Sequence, residues 1–126
     1  MKLFINTENK NKIRQVDKEF IKEEYIHHNK KMSYFGLPSE GLYDIIEWEE
    51  YLDKYVAVER GSKSSPHIKQ NLLLSNAFRK GYSNDLQLLR GEINKIILED
   101  KDDVGQRVPY PFEVVNFDYG GSILYE

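Results

Sequence analysis

After Lys31 the sequence alternates between short apolar segments and longer amphipathic segments. The short segments are bounded by turns that contain Gly, Pro or acidic residues, which is typical of β-strands. They cover residues 32–37, 55–58, 86–89 and 114–117, and helical patterns over about 39–54, 64–81 and 93–98 separate them. Because parallel strands need a crossover connection, which is usually a helix, this alternation predicts an α/β fold. We expect a parallel sheet of about four strands with helices on its faces.

The composition limits the possible functions of the chain. Its 126 residues suffice for one domain with a core, and its formal net charge of −3 gives no support for a dedicated nucleic-acid binder. The absence of cysteine excludes a disulfide framework and cysteine-ligated zinc. No segment approaches the roughly 20 apolar residues of a membrane helix. The apolar run at the start is too short for a signal peptide, so we expect a cytoplasmic protein that does not enter a membrane.

Residues 1–31 form a polar segment that we interpret as an N-terminal amphipathic helix. Thr7 is its expected N-cap, and the helix should run from about Glu8 to His28. Apolar residues recur at near-helical spacing and should form its buried stripe: Ile13, Val16, Phe20, Tyr25 and Ile26. The pair His27-His28 is favourable at a helix C-terminus. Adjacent helical side chains diverge by about 100°, so the pair does not indicate a metal site.

The next two helices have recognisable boundaries. Ser39 is the expected N-cap of a helix that runs to about Lys54, with Trp48 near the edge of its buried face. The buried stripe of this helix should consist of Leu42, Ile45, Ile46 and Leu52. Further along, Ser64-Ser65-Pro66 and Gly81 are the expected start and end of another helix.

The last strand is expected over Val114–Phe117, between two prolines and the pair Gly120-Gly121. Because the run is apolar almost throughout, we expect it to be covered on both faces, as in parallel sheets. It leads into Asp118 and Tyr119, which would lie at the carboxyl end of the strand, where open α/β sheets bind ligands. The alternative is that Asp118 only stabilises the turn formed by the two glycines.

Three carboxylates follow predicted strands: Glu59, Glu92 and Asp118. The carboxyl ends of parallel strands meet at one edge of the sheet, so these side chains should lie along that edge. A carboxylate after the second strand suits a ribose, because it can accept hydrogen bonds from both hydroxyl groups. The turn after the first strand, GLPSEG from Gly36, can bring backbone amides and a helix N-terminus close to a ligand.

The order of these motifs resembles the first half of a class I S-adenosylmethionine-dependent methyltransferase. The resemblance implies a Rossmann-like sheet with strand order 3-2-1-4 and a cofactor site that includes Gly36, Pro38 and Asn116. It further implies that Glu59 binds the ribose hydroxyls and that Glu92 approaches the adenine amino group. Asp118 and Tyr119 would border the methionine and the methyl acceptor, and Asp118 would be a candidate base.

The sequence also departs from that family. The first turn lacks the usual acidic-x-Gly-x-Gly-x-Gly spacing, and the segment Asn116–Tyr119 lacks the prolines of the Asn/Asp-Pro-Pro-Tyr signature of amino-methylating enzymes. The family fold normally has seven strands. We therefore expect residues 32–126 to be a methyltransferase-like domain truncated after its fourth strand, completed by a second copy or by a partner chain. Two alternatives stay open: a non-catalytic interaction protein with a degenerate fold, and another nucleotide- or phosphate-binding α/β domain.

Overall fold

The four segments that were predicted as strands pair into one parallel sheet. This computed structural model describes residues 2–117 and the side chains of residues 10–117. Its strands are β1 (Met32–Gly36), β2 (Leu52–Glu59), β3 (Leu86–Arg90) and β4 (Val114–Asn116). They are ordered β3-β2-β1-β4, and every neighbouring pair is parallel. The predicted fold class, a Rossmann-like α/β sheet with this strand order and an N-terminal helix, is therefore confirmed.

Helices connect the strands and cover the sheet. They are α1 (Lys2–His28), α2 (Tyr43–Trp48), α3 (Pro66–Arg79) and α4 (Ile93–Glu99), and a 3-10 turn (Glu49–Tyr51) joins α2 to β2. Pro66 occupies the first turn of α3, and Gly81 follows the helix with a φ of 84°, as the sequence predicted. Within residues 2–117, no helix combines the length and the apolar character needed to cross a membrane.

The alternation of side chains along the strands creates two cores. Tyr55 and Ala57 of β2 point to the face that α1, α2 and α3 cover, where Trp48 and Leu73 are fully buried. Val56 and Val58 point to the opposite face. There α4 and the segment that precedes β4 supply the packing partners, among them Ile96 and Val108.

The prediction for α1 was wrong in its start and in its buried face. The helix begins at Lys2, so Thr7 lies inside it. Of the five residues in the predicted stripe, only Tyr25 packs against the core. The other four, Ile13, Val16, Phe20 and Ile26, are exposed. Phe20 is 63% exposed, whereas the adjacent Ile21 is 8% exposed and packs in the core. Polar contacts explain the orientation, because Arg14 and Lys18 lie on the same side of the helix as Ile21 and bind carboxylates of α2.

The second predicted helix is shorter than the sequence indicated. It ends at Trp48, and Leu52 begins β2 by pairing with Met32 of β1. Its N-cap is Leu42 and not Ser39, and both of these residues have a positive φ. Trp48 lies at the centre of the buried face, not near its edge, with an exposed fraction of 1%. Strand pairing has overridden the helical pattern at residues 52–54. This is the usual outcome when tertiary contacts compete with local propensity.

The expectation that the last strand is covered on both faces was also wrong. β4 lies at an edge of the sheet, and its Val115 is 53% exposed. Val114 packs against the core on the other face. The predicted site residues Asp118 and Tyr119 lie outside the described residues.

Candidate functional site

The carboxyl ends of all four strands form one edge of the sheet, which we call the carboxyl edge. Its strand-terminal residues are Gly36, Glu59, Arg90 and Asn116. The chain proceeds from β1 to β2 on one side and returns to β4 on the other side of β1, so the strand order reverses between β1 and β4. Ligands of open α/β sheets bind in the crevice at such a reversal. Gly36 and Asn116, both predicted as site residues, are paired at this point.

Gly36 is required by the close approach of β1 and β4. A methyl group at this position would overlap the carbonyl oxygen of Asn116 and the phenol of Tyr34. The same Asn116 carbonyl accepts a hydrogen bond of 3.1 Å from the amide of Leu37. In the following turn the side chain of Pro38 is fully buried and its carbonyl accepts a hydrogen bond from the amide of Tyr43. Pro38 therefore contributes to the shape of the turn, and its ring faces the protein.

Glu59 ends β2 next to this crevice. Its Oε2 accepts a hydrogen bond of 2.8 Å from the amide of Gly61, whose φ is 77°. Its backbone carbonyl accepts a bond of 3.0 Å from Nε2 of Gln70. The described residues donate no hydrogen bond to Oε1. The partly buried carboxylate of Glu59 is therefore held through Oε2, and Oε1 stays able to accept hydrogen bonds from a ligand. This arrangement fits a ligand that carries hydroxyl groups.

Glu92, the predicted partner of adenine, is the N-cap of α4. Its Oε2 accepts a hydrogen bond of 3.0 Å from the amide of Asn94, and its Oε1 accepts one of 3.3 Å from the amide of Lys95. Such a cap satisfies backbone donors that the helix itself cannot satisfy. Capping accounts for the position of Glu92 without a ligand, although each oxygen retains capacity for a second donor.

A buried carboxylate that the sequence analysis missed lies behind the β1–β4 crevice. Asp44 of α2 is 4% exposed. Its Oδ1 binds Nε of Arg14 at 2.8 Å. Its Oδ2 accepts hydrogen bonds from the hydroxyl of Tyr34 at 2.9 Å and from Nδ2 of Asn116 at 2.8 Å. We call these four residues the Asp44 cluster. It connects α1, α2, β1 and β4 at a single side chain.

The electrostatics of the cluster follow from burial and from the charge of Asp44. Burial raises the pKa of Tyr34 well above its ordinary value of 10, and the neighbouring carboxylate of Asp44 adds to the effect. Tyr34 therefore stays a neutral phenol that donates to Asp44. Burial and the negative charge of Asp44 also raise the pKa of Asp17. The guanidinium of Arg14 compensates the buried charge and lies 5.3 Å from the ring centre of Tyr43.

A second contact that the sequence did not predict holds the guanidinium group of Arg90 at the carboxyl edge. Arg90, at the end of β3, lies beside Glu59 in the sheet register. Its Nη1 donates to Oε1 of Gln70 at 2.8 Å, and Gln70 is 3% exposed. Because Gln70 also donates to the carbonyl of Glu59, one buried amide connects the ends of two strands to α3.

Part of this arrangement left a signal in the sequence. Asp44 precedes Trp48 by four residues and therefore lies on the same helix face, so a correct assignment of Trp48 as buried would have placed Asp44 in the core. Arg14 likewise shares a face with Ile21. Nothing in the local sequence indicates that Asp44 binds Asn116, which is 72 residues away.

A further concave surface among the described residues does not contain the predicted residues. It is a cavity of about 430 Å³ at the end of α4, lined by Lys95, Glu99, Lys101, Asp102, Asp103 and Gly105. Lys95 already pairs with Asp103 across it at 4.0 Å. Among residues 2–117, no three His, Asp or Glu side chains converge as ligands for a metal ion.

The fold and the carboxyl edge define a Rossmann-like α/β domain with its crevice between β1 and β4. No known protein family matches the chain, and no curated protein is significantly similar to it. The residues at the crevice are therefore the basis for a functional proposal.

Proposed function

We propose that the chain is an S-adenosylmethionine-binding domain of the methyltransferase type. The observation that carries the proposal is the reversal of strand order between β1 and β4, where Gly36 allows close backbone approach, with Glu59 at the end of the neighbouring β2. This is where a doubly wound sheet binds a nucleoside-containing ligand, and a carboxylate after the second strand suits its ribose. The methyl acceptor is left open.

Most of the predicted residues have a defined part in the proposed site, whereas Pro38, which is buried, contributes only to the shape of the turn. Oε1 of Glu59 accepts hydrogen bonds from the ribose hydroxyls, while Oε2 stays on the amide of Gly61. Glu92 approaches the adenine amino group in addition to capping α4. Asn116 lies on the side of the amino-acid part of the ligand. S-adenosylmethionine, when bound, supplies an electrophilic methyl group on a sulfonium. Asp118 and Tyr119, beyond the described residues, remain the predicted residues on the acceptor side, with Asp118 as a candidate base.

The proposal is tested by calorimetric titration with S-adenosylhomocysteine. Glu59→Gln keeps an oxygen acceptor for the amide of Gly61 but removes the charge that strengthens a hydrogen bond from a ribose hydroxyl. We expect this variant to bind more weakly by about 1.5–3 kcal/mol. Glu113→Gln is the matched control. Glu113 accepts hydrogen bonds from Ser33 near the start of β1, so it lies at the amino ends of the strands and away from the carboxyl edge. The control should bind like the wild type.

The outcome also decides between the proposal and a non-catalytic interaction protein. Two observations favour the second function: both oxygens of Glu92 serve the helix cap, and α1 and α3 expose large apolar side chains such as Phe20 and Phe78. If the folded wild-type protein gives no binding heat at millimolar S-adenosylhomocysteine, cofactor binding is refuted and the interaction function is favoured.

A further inference from the structure

The orientation of the Asn116 carboxamide is determined by its partner. An ionised carboxylate can only accept hydrogen bonds, so the side chain of Asn116 must present its NH2 group to Oδ2 of Asp44, at 2.8 Å. The planar amide then directs Oδ1 away from Asp44. No hydrogen bond from the described residues reaches this oxygen. At the point where the strand order reverses, Asn116 thus keeps an acceptor that the described residues leave open.

The other members of the cluster fix Asp44 itself. Nε of Arg14 binds Oδ1, and the hydroxyl of Tyr34 binds Oδ2. Tyr34 is completely buried and Asp44 almost so, which leaves the carboxylate little freedom to rotate. A buried side chain whose two oxygens both accept hydrogen bonds is well suited to hold a neighbouring group in one orientation.

We infer that Asp44 is a positioning residue of the ligand site, which orients Asn116 so that its Oδ1 accepts a hydrogen bond from an amino group of the ligand. This inference rests on the proposed function. In a ligand of the S-adenosylmethionine class the amino group is the ammonium of the amino-acid part. An ammonium group is a donor only, and its positive charge strengthens the hydrogen bond to an amide oxygen.

A purely structural role for the cluster makes a different prediction. Arg14 and Tyr34 alone would compensate the buried charge of Asp44 and join α1 and α2 to the sheet. In that case the loss of Asp44 would lower stability, and any effect on binding would be the same for all ligands of the crevice. Positioning of Asn116 instead predicts an effect that depends on whether the ligand has an amino group.

The experiment compares two ligands and two variants by calorimetry. S-adenosylhomocysteine carries the amino-acid part, and 5′-methylthioadenosine has the same nucleoside and thioether without it. We expect Asp44→Asn to weaken binding of S-adenosylhomocysteine by about ten-fold or more and to leave that of 5′-methylthioadenosine within about two-fold. The matched control is Glu49→Gln. The carboxylate of Glu49 accepts a hydrogen bond of 2.8 Å from the hydroxyl of the buried Tyr82. Glu49 precedes β2 and Tyr82 precedes β3, so this contact lies at the amino ends of the strands, away from the proposed site. It should change neither affinity.

The possible outcomes are distinguishable. Equal losses for both ligands, or no loss for either, overturn the positioning role. If circular dichroism shows that Asp44→Asn does not fold, Asn116→Ala replaces it and should show the same selective loss. A wild-type protein that binds both ligands with equal affinity overturns the inference and leaves the proposed function intact. A wild-type protein that binds neither ligand refutes both.

Discussion

Two aspartates of this protein, Asp44 and Asp102, are each only 4% exposed. A buried carboxylate is tolerated only where hydrogen bonds or a counter-charge compensate its lost hydration. Asp44 is compensated by side chains from three other elements. Asp102 is compensated mostly by backbone amides: it accepts from those of Arg90, Val104 and Gln106 at 2.7–3.1 Å, and also from the side chain of Gln106. The first carboxylate therefore connects distant elements, whereas the second organises its own loop.

The loop carboxylate leads to a prediction about stability. Burial raises the pKa of Asp102, but hydrogen bonds from Arg90 and Gln106 outweigh it, and the pKa lies below its ordinary value of 3.8. The folded state thus favours the ionised form of Asp102. Ionised Asp102 stabilises the fold at pH values above the pKa that this residue has in the unfolded chain. The stabilisation is lost as the pH falls through the lower pKa of Asp102 in the folded state. We expect Asp102→Asn to lower the free energy of unfolding at pH 7 by roughly 2–4 kcal/mol, because it leaves buried donors with a weaker acceptor.

Urea unfolding at several pH values tests this prediction. The difference between the wild type and Asp102→Asn should narrow as the pH falls below about 3.8, where the carboxylate of the unfolded chain becomes protonated. Asp103→Asn is the control, since the neighbouring side chain is 53% exposed and makes only a long ion pair with Lys95. A difference that stays constant with pH would show that shape, and not charge, makes Asp102 important.

At the level of elements, α1 provides the clearest test of the packing. Ile21 is 8% exposed and packs in the core together with Tyr25, whereas Phe20 is 63% exposed. We expect Ile21→Ala to lower the free energy of unfolding by about 2–4 kcal/mol, the usual cost of a cavity. Phe20→Ala, one residue away, should change it by less than about 0.5 kcal/mol. Chemical denaturation of both variants measures the difference, and a larger loss for Phe20→Ala would mean that α1 packs through its other face.

The strands and their order could be predicted from sequence because they depend on local apolar runs and on the alternation with helices. The packed face of α1 could not, because the helix has two sets of apolar residues. Ile13, Val16 and Phe20 form the more regular one, and contacts of Arg14 with α2 select the other. The end of α2 was missed for a similar reason, since pairing of Leu52 with β1 is a long-range effect.

The positions of some candidate site residues in the fold were also predictable from sequence. Glu59 ends β2 as the sequence indicated, and Gly36 and Asn116 meet at the strand reversal. The capping by Glu92 was not foreseen, because Ser, Thr, Asp and Asn are the more common N-caps. The Asp44 cluster was missed because its members are far apart in sequence and converge only in the folded chain.

At the scale of the whole molecule, the two outer strands of the sheet, β3 and β4, differ in how their outer sides are covered. Beside β3, side chains occupy the outer edge: Nε2 of Gln106 donates to the carbonyl of Leu88, and Asp102 accepts from the amide of Arg90. Beside β4, no segment within residues 2–117 pairs with the outer edge. Val115 of that strand is 53% exposed. An edge strand with an exposed apolar side chain tends to pair with another chain unless it is covered or carries a charge.

We therefore expect the protein to associate through β4, either with a second copy or with a partner chain that extends the sheet. Sedimentation of the purified protein at high micromolar concentration should show a dimer or a larger species. Val115→Lys should shift it to the monomer with little change in melting temperature, because a lysine on an edge strand opposes pairing and replaces an already exposed side chain. Val104→Lys is the control, as Val104 is 66% exposed in the loop after α4. It should not alter association. A wild-type monomer at these concentrations would rule out self-pairing at this edge, and a pull-down with Val115→Lys as the negative bait would then test for a partner chain.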